Sequence, residues 1–173
     1  MSCILGTGYS LECRNNTAGV DEIYIRSFSG ATTYSYDSNG VITGSTTPSG
    51  GTYYRFAQRA ETANFMPGVG EHNIENGTNM WAQTLDMNFT KYQASLRNLL
   101  YDLALAELDV IVKTQNGSFF KMGEFNGSNL TASNASVGKS YTDLQGATVT
   151  LTAREPKPAA EMSSTFFASL TIV

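Results

Sequence analysis

Alternation of apolar and polar positions dominates the chain. In "VDEIYIRSF" Ile23 and Ile25 oppose Tyr24 and Arg26, a period of two that predicts a strand. "ATTYSYDSNGVITGST" carries Tyr34 and Tyr36, a turn at Asp37-Ser38-Asn39-Gly40, then Val41 and Thr43, which predicts a hairpin. "TPSGG" after it reads as a flexible break. In "TYYRFAQRAETANF" Tyr54, Phe56 and Ala60 oppose Arg55, Arg59 and Glu61, a further strand; "MPGVGEHNIENGTN", with Pro67, Gly68, Gly70 and Gly77, reads as a loop. "MWAQTLDMNF" sets Trp81, Leu85, Met87 and Phe89 on one side, with Gln83 interrupting that apolar row. "ATVTLTARE" alternates Ala147, Val149, Leu151 and Ala153 against Thr148, Thr150, Thr152 and Arg154. "STFFASLTIV", beyond a break at Pro156 and Pro158, reads as a closing strand.

The period changes in one place. Tyr92, Leu96, Leu99, Leu100 and Leu103 fall at i, i+4, i+7, i+8 and i+11, a single apolar stripe that predicts a helix over 90–106. Thr90 and Gln93 have the spacing of a capping box. Beyond it Leu108, Val110 and Val112 resume alternation. Asn116-Gly117 suits a type I′ turn, and Phe120 and Met122 return opposite Phe119 and Lys121. "NGSNLTASNASVGKSYTDLQG", spanning about 126–146, reads as a long polar loop, and residues 1–19 as a loosely structured arm. The fold expected is mainly β, a barrel or sandwich of about eight strands in a single domain over 1–173, with one flanking amphipathic helix that must pack on a sheet.

Composition fits this picture. Of 173 residues 41% are hydrophobic and only 15% charged, with Thr, Ser, Asn and Gly in place of the missing charge. Low charge suits a surface covered by neighbouring subunits, and equally a secreted β-protein. The net charge of −4 argues against binding nucleic acid through phosphate contacts, which needs clustered Lys and Arg. No basic segment followed by an apolar run opens the sequence, so synthesis and folding in a cytoplasm are expected. No apolar run approaches the roughly 18 residues of a membrane span. Cys3 and Cys13 are too few for a disulfide framework and read as small hydrophobes.

Candidate chemistry is sparse, and no catalytic, cofactor-binding or metal-ligating set emerges. His72 is the single histidine and sits in a Gly-rich stretch; no Ser-His-Asp arrangement can be built without it, and neither cysteine has a second histidine available. Gly6-Thr7-Gly8 lacks the Lys-Ser/Thr and helix of a phosphate loop. The Asp37–Gly40 turn lacks the downstream ligands of a calcium loop. Aromatic residues are more telling. Consecutive pairs such as Tyr53-Tyr54 and Phe119-Phe120 put one ring on each sheet face. Either both faces are core, or one ring of each pair meets a neighbouring subunit. The interface candidates are Tyr34, Tyr36, Tyr53, Phe65 and Phe119.

"MWAQTLDMNFTKYQASLRNLL" leading into "LDVIVKTQNGSFFKMGEFNG", then "SVGKSYTDLQGATVTLTAREPKPA", resembles tail-tube-like virion proteins of tailed bacteriophages: the tube, terminator and collar or ring proteins, including those of crAss-like phages. The resemblance covers roughly residues 50–160 and is one of pattern. It implies a structural homo-oligomer in the virion tail, in six-fold or twelve-fold rings, with neighbouring tail or portal proteins as partners. DNA would pass through the lumen without specific binding, and no cofactor is involved. Under it, the segments 29–52 and 126–146 become arms that order against neighbours. The alternative reading is a host-receptor or carbohydrate-binding β-sandwich using exposed Tyr and Trp81 as a stacking surface.

Overall fold

The computed structural model describes residues 8–9, 16–46 and 51–173. The readings of Cys3, Cys13, the break at 47–50 and most of the N-terminal arm lie outside the described residues. The elements follow in the order β1 (Val20–Ser27), β2 (Thr33–Tyr36), β3 (Ile42–Thr46), β4 (Tyr54–Ala57), β5 (Asn64–Asn73), β6 (Thr78–Thr90), α1 (Ala94–Leu105), β7 (Leu108–Thr114), β8 (Phe119–Met122), β9 (Asn129–Ser136), β10 (Gly146–Glu155), β11 (Ala160–Met162) and α2 (Ser164–Ala168). They build two sheets, one of seven strands in the order β2-β3-β11-β8-β7-β1-β4 and one of four in the order β5-β6-β10-β9. The protein is mainly β with two short helices.

The alternation read from the sequence decides how the sheets meet. Ile23 and Ile25 of β1, Val110 and Val112 of β7 and Met122 of β8 form one core with Leu85 and Met87 of β6 and Val149, Leu151 and Ala153 of β10. Burying each large aliphatic side chain here contributes about 1.5–3 kcal/mol. Leu103 of α1 enters the same core, and Leu99 and Leu100 pack against it, so the helix covers apolar surface that the sheets leave open. The other face of the seven-stranded sheet carries a second core of Tyr24, Ile42, Tyr53, Ile111, Phe119 and Met162, closed by Phe166, Phe167 and Leu170. Phe167 stacks on Phe119 at 4.1 Å and meets Tyr24 edge-on at 4.9 Å. β7 lies between the two cores, and Leu108 through Val112 are buried without exception.

Several expectations are corrected. The helix starts at Ala94 rather than Thr90: Thr90 is still paired with Gly146, and the chain turns at Lys91, whose φ is 66°. Gln93 flanks the helix with no side-chain cap, so the capping box does not form. The β7–β8 hairpin is present, but only Gly117 has positive φ, at 83°. Gly117 N–H donates to Thr114 O and Thr114 N–H to Ser118 O, each at 2.9 Å, giving a three-residue loop in place of the type I′ turn. The stretch 66–79 is mostly strand, because β5 pairs with β6 despite Pro67, with a register shift between Met66 and Val69. The supposed loop 126–146 contains β9, which pairs with β10. The closing segment is the short helix α2 followed by residues that bond to Tyr53 and Arg55, with Val173 N–H donating to Tyr53 O at 2.9 Å. Within the supposed arm 29–52, the β2–β3 hairpin seats Ile42, fully buried, in the second core.

Candidate functional site

Two regions of the molecule are unusual for a stable fold: one open sheet edge and one set of buried charges. The four-stranded sheet turns Thr84, Asp86 and Asn88 of β6 and Thr148, Thr150 and Thr152 of β10 away from the core, the other half of the alternation. These groups bond to one another. Thr150 Oγ1 donates to Asp86 Oδ1 at 2.7 Å, Thr148 Oγ1 to Asn88 Oδ1 at 3.0 Å, and Thr131 and Thr152 hydroxyls lie 3.0 Å apart. The face is hydroxyl-rich and weakly charged. At one margin lies β9, eight residues of sequence NLTASNAS, almost wholly exposed and, among the described residues, paired on one side only. It contains no charged residue and no proline, the usual guards of an exposed edge. At the other margin β5 projects with β6 to an exposed hairpin end around Ile74.

The five aromatic interface candidates go to different places. Tyr53 and Phe119 are buried in the second core, and Tyr34 is half-buried against it. Phe65 packs against the first core and lies 6.2 Å from Phe120. Tyr36 alone of the five is exposed, at 45%. Both faces of the seven-stranded sheet are therefore core, and four of these rings are engaged within the subunit. Trp81 is half-buried, with His72 edge-on at 5.3 Å.

The charges lie on the second-core face. Arg26 of β1, Asp109 of β7 and Lys121 of β8 occupy outward positions of their strands by alternation, yet all are buried. Asp109 Oδ2 accepts from Arg26 Nε at 2.8 Å, Arg26 Nη2 at 2.7 Å, Tyr53 OH at 3.2 Å and Tyr34 OH at 3.4 Å. Its Oδ1 faces the ammonium of Lys121. The Arg26 guanidinium also sits 4.7 Å over the Tyr53 ring. Burial drives the Lys121 ammonium well below its ordinary value, with the Arg26 charge adding to the effect. Burial pushes the Tyr34 hydroxyl up to about 12.

A second polar group adjoins this one where β8 runs out. Gln83, the residue that interrupts the apolar row of β6, is buried; its Oε1 accepts from Gly123 N–H at 3.1 Å and its Nε2 donates to Lys157 O at 3.2 Å. Gly123 has φ 72°, and a Cβ there would come within 2.7 Å of the Gly127 backbone. This tight turn directs Glu124 toward a cleft of about 470 Å³ shared with Tyr36, Asp37, Lys157 and Pro158. Glu155 at the end of β10 accepts from Asn126 N–H at 2.9 Å and Phe125 N–H at 3.2 Å. Glu124 Oε1 is buried and has no hydrogen-bond partner among the described residues. Burial, and then the Glu155 charge, push the Glu124 carboxyl up to about 7; burial also raises that of Glu155.

No protein-family model matches the chain, and no curated protein is similar to it. Among the described residues no helix is long and apolar enough to cross a membrane, and no three His, Cys, Asp or Glu side chains are grouped to hold a metal ion. None of the charge cluster was singled out from the sequence. The one signal was Gln83, a polar residue in an apolar row.

Proposed function

We propose that the protein is a structural subunit of a bacteriophage tail, assembled with identical copies into closed rings around a channel that DNA traverses. The observation that carries this reading is β9, an uncharged and largely exposed eight-residue strand that among the described residues pairs on one side only, with α1 beside part of it. An edge of that length is a template for pairing with another chain. Its counterpart β5 lies at the opposite margin of the same sheet. Joining β9 of one copy to β5 of the next is a head-to-tail contact, which closes into a ring when the rotation permits. Four-stranded sheets joined in this way form a continuous wall. The hydroxyl-rich face of Thr84, Thr148, Thr150 and Thr152 then offers DNA few cationic contacts, in keeping with a net charge of −4.

Size-exclusion chromatography with light scattering, and negative-stain micrographs of the peak, test the assembly. The expected result is rings of six or twelve copies. A monomer at every concentration reached would overturn the reading. Ala132, exposed on β9 opposite Thr150, provides the specific control. Ala132→Lys places a charge on the edge and is expected to leave a folded monomer, with stability changed by no more than about 0.5 kcal/mol.

A further inference from the structure

We propose that the cleft containing Glu124 is a binding site for an organic cation, a primary ammonium or guanidinium group. Four observations lead there. The cleft is open and holds about 470 Å³, enough for such a group with a short aliphatic stem. Glu124 lines it with only 9% of its surface exposed, and its Oε1 has no partner among the described residues. A buried carboxylate short of donors is costly, so a charged donor reaching this carboxylate from the cleft offsets part of that cost. The buried charges are also unequal in number. Among the described residues the buried basic side chains are Arg26 and Lys121, and the buried acidic ones are Asp109, Glu124 and Glu155. Asp109 takes both basic groups and Glu155 takes two backbone N–H groups, which leaves Glu124 without a buried counter-charge and with only the exposed Lys157 in its cleft. Finally, the cleft wall adds Asp37 and the exposed Tyr36, a second carboxylate and an aromatic face of the kind that organic cations favour.

The groups that act on Glu124 set the pH behaviour. Glu155 of β10 opposes its ionisation, and Asp37 of the β2–β3 turn lines the same cleft. Lys157, between β10 and β11, favours it, whereas Lys121 of β8 faces Asp109 and acts on Glu155 instead. Lys157 is exposed and occupies the cleft, so its ammonium competes with an incoming cation. A cation binds the ionised form of Glu124, which becomes the major form as pH rises through about 7.

Methylguanidinium and butylammonium are suitable probes, titrated into the full chain and followed by NMR and calorimetry. The expected result is one saturable site per chain, about tenfold tighter at pH 8 than at pH 6. Glu124→Gln is expected to weaken it about tenfold or more, and Lys157→Ala to strengthen it a few-fold. No saturable site, a site indifferent to Glu124→Gln and to pH, or equal competition by calcium would each overturn the proposal. If the Glu124→Gln chain does not fold, the pH dependence and the Lys157→Ala chain decide on the same probes. Sedimentation of the Glu124→Gln chain identifies the source of the cation. Weakened self-association means a basic side chain of a second copy, and unchanged association means a free cation.

Discussion

Asp109 gathers Arg26 and two tyrosines on one oxygen and faces Lys121 with the other, and so keeps the buried basic groups from standing uncompensated. Glu124 has no such partner, and its carboxyl stands at about 7 against an ordinary 4.5. Between those values the folded protein holds a proton that the unfolded chain has released. The stabilisation is therefore complete below pH 4.5 and is lost as pH rises through 7. Glu155 is shifted in the same direction. Glu22 and Asp143 are shifted the opposite way, by the Tyr24 hydroxyl and by the Ser140 backbone N–H respectively, so their contributions fail only under acid, below this window. Urea unfolding at intervals from pH 5 to 8 is expected to show stability falling by on the order of 1–2 kcal/mol, less than the full shift because the cleft admits solvent. Glu124→Gln is expected to remove most of that slope.

The helix illustrates how elements divide their residues. Leu103 is buried in the first core, whereas Leu105, two positions on, is 70% exposed. Leu103→Ala is expected to cost about 2–5 kcal/mol and Leu105→Ala no more than about 0.5, both read from urea unfolding. Elements that bury their own apolar residues were legible in the sequence: β1, β6, β7, β8 and β10 all show the period that packs them. Elements held by a neighbour were not. β9 is small and polar apart from Leu130, which packs against the first core, and becomes a strand because β10 offers an unpaired ladder. β5 contains Pro67, Gly68 and Gly70, and is held by its pairing with β6. The Phe166-Phe167 pair read as strand, but after Ser163 the chain makes a turn of helix that lays Phe167 on Phe119 and Tyr24. The charge cluster was hidden for a related reason. Arg26, Asp109 and Lys121 occupy positions that alternation marks as outward, and the β2–β3 hairpin, the segment with Gly51 and Tyr53, and the α2 segment, folded over that face, make them interior.

Across the whole molecule, the sequence conveyed a β-framework with an apolar helix against it, and the fold adds a second layer on the far side of the larger sheet. Its cost is a set of buried charges, and its result is a subunit whose two sheets have different exposures. The seven-stranded sheet is covered on both faces, while the four-stranded sheet has one face and the β9 margin open. The ring proposed above uses the open sheet and leaves the Glu124 cleft on the other layer. One further consequence belongs to β7. Because Leu108 through Val112 have apolar or paired neighbours above and below, loosening either layer alone still leaves this strand shielded by the other. In deuterium labelling of the native protein, the amides of residues 108–112 are expected to be the last to exchange, and those of β9 among the first. The molecule would then come apart from its margins inward, with a spine one strand wide persisting to the end.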